Sequence, residues 1–406
     1  MIKSYRRPLA ILILAIGIFS GIFYIANSIA TPQLPSRSHP SQLYATEKKD
    51  DLRLVFGTAM DKAKKSIFLV MYALSDHNMI QILNQKAHDG IDVTIVCDAN
   101  ASKHTIPKLV DSIKVYKEKP KGIMHQKLLV IDQKTVFIGS ANMTTESLRL
   151  HGNMVLGLYH PNLAKIIMEK GKDLAKPVPA HHIDINKKQS LALWFLPDNS
   201  DAIDQLKALI QSAQKTIRVA MFTWTRRDLA EEIIAAHQRG VNVEVVIDKY
   251  AGRGSSRFIV SKLKEGGIPV KLSQGSSLLH HKLMYIDDET LIDGSANWTK
   301  AAFTQNYDCF FILKGLSKKQ KEVLKTVWNE IANDTIEPDL TTALQQNQQR
   351  GAEAVQPTSV GATPFLWTPC SGFLKNGLFL FGSLQMSRIT RDGNDTSPLD
   401  QLPRVA

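Results

Sequence analysis

Hydrophobic positions along the chain fall into three regimes. Leu9 to Ala26 runs 18 residues without a charge, behind a head carrying Lys3, Arg6 and Arg7. From about residue 44 to about 335, short β-branched runs alternate with segments of helical apolar spacing, which predicts strands alternating with helices. Beyond about Asp339 the alternation stops. Gln345 to Gln349 is amide-rich, and Pro, Gly, Ser and Thr punctuate the rest of the chain. Phe373 to Leu384 is apolar but too short to cross a bilayer. The region 340–406 is therefore expected to be a mostly irregular tail.

The middle regime repeats itself. Ser66 to Tyr72 reads like Thr216 to Phe222, and each run follows a helix-like segment ending in Ala63-Lys64-Lys65 or Ala213-Gln214-Lys215. A helical stretch closed by Gly90 or Gly240 comes next, then a second strand, Val93 to Asp98 or Val243 to Asp248. These pairs are offset by 150 residues, whereas His125-Gln126-Lys127 and His280-His281-Lys282 are offset by 155. The second copy thus carries five extra residues between Asp248 and His280, in a stretch containing Gly252-Arg253-Gly254-Ser255-Ser256. Two copies of a β-α-β-type unit predict an α/β protein with mixed or parallel sheets flanked by helices. The expected divisions are a signal or anchor at 1–30, a linker at 31–43, a first lobe at 44–171, a connector at 172–190, a second lobe at 191–339, and the tail.

Composition changes the picture in three ways. Lys and Arg number 50 against 38 Asp and Glu, a formal charge of +12, which favours anionic partners: phosphates, nucleic acid or acidic lipid. Only three cysteines occur, so neither a disulfide framework nor a Cys-type zinc site is expected, and Cys97 and Cys309 read as buried strand thiols. The basic head and apolar core at the N-terminus read as a secretory signal, with Ser28-Ile29-Ala30 as a cleavage site, or as an uncleaved anchor. Either reading places the body across the cytoplasmic membrane: periplasmic, secreted or membrane-anchored.

The chemistry sits in a pattern that occurs in full twice: His-x-Lys, four residues, Asp, six residues, Gly-Ser-x-Asn. On a strand, His125 and Lys127 share a face, as do His280 and Lys282, because the side-chain period is two. Two copies facing each other would gather two imidazoles, two ammonium groups and the donors of Ser140, Asn142, Ser295 and Asn297 around one volume. That is an anion cradle with a nucleophile on one side and an acid on the other, suited to phosphoryl transfer. A packing repeat would keep apolar positions and vary polar ones; here the polar set survives between copies. No carboxylate cluster with metal spacing accompanies it, so neither metal nor other cofactor is expected.

With these residues the chain resembles the phospholipase D superfamily, whose signature is this twin element, over about residues 44–335, including Phe195-Leu196-Pro197-Asp198. The second copy resembles the compact bacterial and mitochondrial branch, which holds both lipid-acting and nuclease members. The resemblance implies a pseudo-symmetric duplication of a phospholipase D-type lobe and a phosphohistidine mechanism. His125 and His280 would be the nucleophile and the acid/base pair, with His125 favoured as nucleophile. Lys127 and Lys282 would hold phosphate oxygens, assisted by Ser140, Asn142, Ser295 and Asn297, and Asp132 and Asp287 would organise each motif. Relatives often carry a Glu downstream that orients each His; the matching positions here are Gly152 and Tyr307, with Glu146 and Asp308 as substitutes. The implied substrate is a phospholipid phosphodiester at a membrane surface, hydrolysed to release its headgroup alcohol. The alternatives are a metal-independent nuclease, or a synthase in which an alcohol replaces water.

Overall fold

A computed structural model describes residues 31–338. The N-terminal apolar segment and the tail after 338, with Cys370 and the 373–384 patch, lie outside the described residues. Among the described residues no helix is long and apolar enough to cross a membrane.

Each copy builds one mixed sheet. The first has seven strands: β1 (Ser41–Ala45), β2 (Ser66–Met71), β3 (Asp92–Asp98), β4 (Lys114–Glu118), β5 (Lys127–Ile131), β6 (Thr135–Gly139) and β7 (Met154–Tyr159). Their order is β1-β7-β6-β5-β2-β3-β4. The second has nine: β8 (His181–Asn186), β9 (Gln189–Leu196), β10 (Thr216–Met221), β11 (Asn242–Ile247), β12 (Val270–Ser273), β13 (Lys282–Ile286), β14 (Thr290–Gly294), β15 (Asp308–Lys314) and β16 (Thr335–Ile336). Their order is β16-β12-β11-β10-β13-β14-β15-β9-β8. With β8 and β16 set aside, the two orders are the same. In each lobe the central strand pairs parallel with its successor, β2 with β3 and β10 with β11, and antiparallel with the motif strand, β5 or β13.

Two segments differ from the sequence expectation. Residues 41–43, read as linker, begin β1, which pairs antiparallel with β7. Residues 181–190, read as connector, form β8 and the start of β9, an antiparallel hairpin on the edge of the second sheet. The polar run His181-His182-Ile183-Asp184-Ile185-Asn186 has no fully buried position, and pairing with β9 rather than its own apolar content makes it a strand.

The core is continuous across the lobes. Val70, Leu128 and Ile138 of the first sheet join Leu283, Leu291 and Phe311 of the second in one buried cluster. The helix Lys318–Asn333 supplies Val323, Val327 and Trp328 to it and packs on β1 and the Thr46–Lys48 turn of the other lobe. The opposite face of the first sheet is covered by helices Leu52–Asp61 and His77–His88 through Leu52, Phe56, Met79 and Leu83. Cys97 and Cys309 are buried thiols on β3 and β15, as read from the sequence.

Candidate active site

The motif strands begin where the parallel strands end. Met71 on β2 pairs with Lys127 and Met221 on β10 pairs with Lys282, so both His-x-Lys elements lie at the carboxyl ends of the parallel pairs. In open α/β sheets this is where ligand crevices form. Asp98 and Asp248, which close β3 and β11, pin the approach to each histidine. Asp98 Oδ2 accepts from the N–H of Met124 at 3.1 Å, and Asp248 Oδ2 from that of Leu279 at 3.0 Å.

The two lobes then complete each other. The N–H of His125 donates to the Tyr307 carbonyl at 2.7 Å, and that of His280 to the Gly152 carbonyl at 2.9 Å. Side chains cross in the same sense. His125 Nδ1 meets Asp308 Oδ1 at 2.8 Å, and His280 Nδ1 meets Asn153 Oδ1 at 3.0 Å. Each histidine is therefore oriented by the opposite lobe, one position beyond the expected Gly152 and Tyr307. Asp308 is one of the two expected substitutes; Asn153 is not, and Glu146 does not take that place. The Asn153 amide is fixed the right way round, because its Nδ2 donates to the Ser147 carbonyl at 2.8 Å. Facing an oxygen acceptor, each Nδ1 carries the hydrogen, which leaves Nε2 as the nitrogen available for chemistry.

Lys127 and Lys282 are 3% and 2% exposed, so burial works against the charged form of each and water cannot screen the charge it carries. Each Nζ donates to the carbonyl of the histidine two residues before it, at 2.6 and 2.7 Å. Each also lies over an aromatic ring, Lys127 at 5.1 Å from the Tyr72 centroid and Lys282 at 4.9 Å from that of Phe222. The same rings stand 5.1 Å from His125 and 5.0 Å from His280. Tyr72 and Phe222 are a pair at the 150-residue offset, an aromatic wall that the motif alone does not disclose.

Crowding of four bases in one buried volume sets the protonation pattern. Burial pushes Lys127 down to about 7, against the upward pull of Asp308. Burial and then Lys127 hold Lys282 well below the usual lysine range. Burial and Lys127 push His125 down while Asp308 pushes it back. His280 has no carboxylate, and burial, Lys282, Lys127 and His125 hold it well below its usual value. Burial would raise the Asp308 carboxyl, but His125, Lys127 and the Ser295 hydroxyl outweigh it, and the net direction is down. An arriving phosphodiester anion would reverse the destabilisation of all four bases, the signature of a site built for negative charge.

The remaining predicted residues divide. The side-chain amides of Asn142 and Asn297 make no hydrogen bond among the described residues, and their Oδ1 atoms are buried. The orphaned oxygens are acceptors, so toward a phosphate only the Nδ2 groups of the same amides can donate. Ser140 and Ser295 are placed differently from the substrate-binding expectation. Ser140 Oγ donates to Asn153 Oδ1 at 2.8 Å and accepts from the N–H of Met154; Ser295 Oγ donates to Asp308 Oδ1 at 2.6 Å and accepts from that of Cys309. Both hydroxyls are fully buried and committed to the orienting groups. The glycine before each is required by close passage of the next strand: a Cβ on Gly139 would fall 2.2 Å from the Met154 carbonyl, and on Gly294 2.5 Å from that of Cys309.

Asp132 and Asp287 lie at the far ends of β5 and β13, about 17 Å along the strand from the lysines. Grouped with the His and Lys by the motif, they stand apart from the catalytic groups and organise the fold around them. Asp132 Oδ1 accepts from the N–H groups of Lys64, Lys65 and Ser66, and Asp287 from those of Gln214, Lys215 and Thr216. Both occupy left-handed backbone at φ 52° and 53°, in the tight turns after the motif strands. Their carboxylates hold the entry to the central strand. A residue the motif reading missed is His151, whose ring lies 6.3 Å from that of His280. Burial and Lys282 push it down, Glu146 up. Its counterpart at the 155-residue offset is Asn306, so only the first lobe adds a third imidazole.

Twin histidines in trans, two buried lysines and unengaged amides define a phosphoryl-transfer site shared by two lobes. Comparison with known proteins agrees. The family described as "Cardiolipin synthase, PLD-like domain" matches residues 57–173 and 206–334, more than half of the chain. The chain belongs to this family, within the phospholipase D superfamily. It is 29% identical over 138 residues to the mitochondrial cardiolipin hydrolase of Xenopus tropicalis, covering 33% of this chain and 65% of that protein. It is 24% identical over 295 residues to the probable cardiolipin synthase YwiE of Bacillus subtilis, covering 62% of this chain and 58% of that one. These matches span less than two thirds of the relatives' own length. In fold, the phosphatidylserine synthase of Haemophilus influenzae superposes with a TM-score of 0.62 at 15% identity, covering 80% of this chain and 95% of that one.

Proposed function

We propose that this protein is a phosphodiesterase that hydrolyses a phospholipid phosphodiester through a phosphohistidine, with one active site shared by both lobes. The observation that carries the reading is the pair of buried histidines, each held at Nδ1 from the opposite lobe and each beside a buried lysine, with a carboxylate behind one ring and an amide behind the other. His125 is the nucleophile: Asp308 makes its ring more basic and stabilises the cation formed when Nε2 bonds to phosphorus. His280, backed by neutral Asn153, takes a solvent proton on Nε2 when the phosphodiester anion binds, and gives that proton to the leaving alcohol as the P–O bond breaks. It then takes a proton from water, whose oxygen attacks phosphorus while the P–N bond returns its electron pair to His125. Lys127, Lys282, Asn142 and Asn297 bind the equatorial oxygens, where charge accumulates.

The names of the hydrolase and synthase relatives support a lipid substrate, and the apolar N-terminus supports an exported or membrane-anchored body. A second reading is favoured by the match to the Bacillus subtilis synthase, which extends over both lobes: an alcohol enters in place of water, and the product is a new phosphodiester. The test is incubation of the purified full chain, in chelator, with mixed phospholipids, with and without glycerol, and separately with DNA. Phosphatidic acid and free headgroup are expected. A new phosphatidyl alcohol as the dominant product would establish the second reading. DNA cleavage without lipid turnover would overturn both.

A further inference from the structure

Asp248 links the active site to the part of the second lobe that has no equal in the first. Its Oδ2 holds the N–H beside His280, while Oδ1 caps the short helix Lys249–Arg253 through the N–H groups of Tyr250 and Ala251. That helix and the next, Arg257–Glu265, follow the carboxyl end of β11, the rim of the sheet at which His280 lies, and Ser256 Oγ ties the second to the end of β10 by accepting from the N–H of Trp224 at 2.9 Å. Two aromatic rings here face solvent, Tyr250 at 55% and Phe258 at 51% exposure. Each carries its own cation: Lys249 Nζ is 5.0 Å from the Tyr250 centroid and the Arg227 guanidinium is 4.2 Å from that of Phe258. Arg227 and Arg253 are exposed. Asp228, next in sequence to Arg227, is already paired with Arg226 and Lys207. In the first lobe the positions 150 residues before Tyr250 and Arg227 hold Asn100 and His77.

We propose that this rim is a membrane-contact face that docks an anionic phospholipid surface, with Tyr250 and Phe258 in the interface and Arg227, Lys249 and Arg253 at the level of the headgroup phosphates. The proposal rests on the lipid reading of the site and adds the surface that presents lipid to it. Exposed aromatic rings settle at the boundary between acyl chains and water, and basic residues beside them are drawn to an anionic surface. Single-stranded nucleic acid would use open ring faces for stacking; here a cation already covers one face of each ring. The charge complements lipid phosphate, and the position beside His280 lets a headgroup enter from the docked face.

The test uses the full chain, so its readouts are local or comparative. Hydrogen exchange on vesicles of phosphatidylcholine with phosphatidylglycerol should show protection at 249–258, absent with pure phosphatidylcholine. The double variant Tyr250→Ser/Phe258→Ser should lose about tenfold in activity on mixed vesicles, mainly in KM, since two interfacial side chains are removed. Its turnover of soluble bis(p-nitrophenyl) phosphate should equal that of the wild type, which also shows that it folds. Failure of the wild type on vesicles with retained soluble activity would count against the lipid reading, and hydrogen exchange alone would then judge the rim. Unchanged exchange on anionic vesicles, full vesicle activity of the double variant, or protection by DNA instead would overturn the proposal.

Discussion

Exchanging Asp308 for Asn removes one charge and almost nothing else. An amide oxygen can still accept from His125 Nδ1, now at 2.8 Å, and from Ser295 Oγ, now at 2.6 Å. The contact disturbed is the donation from Asn306 Nδ2 at 3.2 Å. Lobe one shows that the arrangement is tolerated, since Asn153 serves His280 and Ser140 in the same way. The lost term is attraction between a carboxylate and the cationic ring formed on phosphorylation. At about 4 Å and an effective dielectric near 20 that is about 4 kcal/mol, an upper bound because neighbouring dipoles respond. Asp308→Asn should therefore lower kcat/KM by roughly 10²–10³. The assay is a pH series with an aryl phosphodiester, whose leaving group departs without protonation, so that the rate reports attack. Asp308 is the group that pushes His125 up against burial and Lys127. Its loss moves His125 further down, so the acidic limb, where the nucleophile becomes protonated, should move to lower pH as the plateau falls. A plateau within threefold of wild type, or a limb moving to higher pH, would refute the assignment of His125 as the Asp-backed nucleophile.

With the same aryl substrate, His280→Ala should release about one equivalent of phenol and leave phosphate label on His125, whereas His125→Ala should give neither; label on His280 would exchange the roles. Lys127 sits near 7 in the free protein and is drawn upward by a bound anion, so inhibition by inorganic phosphate should weaken as pH rises above about 7. Phosphate should inhibit the Lys127→Gln variant weakly at every pH, with a flatter profile, as competition assays would show. Turnover should persist in EDTA, since two ammonium groups and two amides serve the phosphate; activity lost in chelator and restored by a divalent ion would sink the mechanism. Lys170 and Asp198 form a buried 2.7 Å pair joining the two lobes, so Asp198→Asn should cost about 3–5 kcal/mol in chemical denaturation by leaving an ammonium uncompensated.

What the sequence disclosed depended on spacing that both copies share. The 150- and 155-residue offsets foretold the duplication that the common strand order displays, and the period of two led to the expectation that His125 and Lys127, like His280 and Lys282, share a face. Cys97 and Cys309 were legible because each adjoins a strand-forming run, Val93 to Val96 before one and Phe310 to Ile312 after the other. The orienting pair was half legible: Asp308 stood near the right place, but Asn153 carries no sign of its role. That role exists only because the lobes dock, and Asn153 lies 127 residues from His280 along the chain. Ser140 and Ser295 misled for a related reason. A hydroxyl in a twice-kept polar motif suggests a ligand contact, and the acceptor that engages it lies one strand away. β8 was read as connector because its polar run owes its extended shape to pairing with β9.

The difference between Asp308 and Asn153 is built into their surroundings and is not a single divergent position. Asn153 Nδ2 donates to the carbonyl of Ser147 at 2.8 Å and faces that of His151 at 3.4 Å. A carboxylate there would put its second oxygen against two carbonyls, a buried clash of acceptors. Asp308 instead turns its second oxygen to the donor amide of Asn306. At the 155-residue offset Ser147 is replaced by Ala302 and His151 by Asn306, so the supports of the two orienting groups changed together. A duplicated lobe docking on itself would by symmetry make two equal histidines, and a two-step displacement needs them unequal, one to attack and one to give and take the proton. Because each ring is served from the other lobe, this inequality is a property of the docked pair. Neither lobe alone contains an oriented histidine, and the buried core that joins the sheets is what assembles the chemistry.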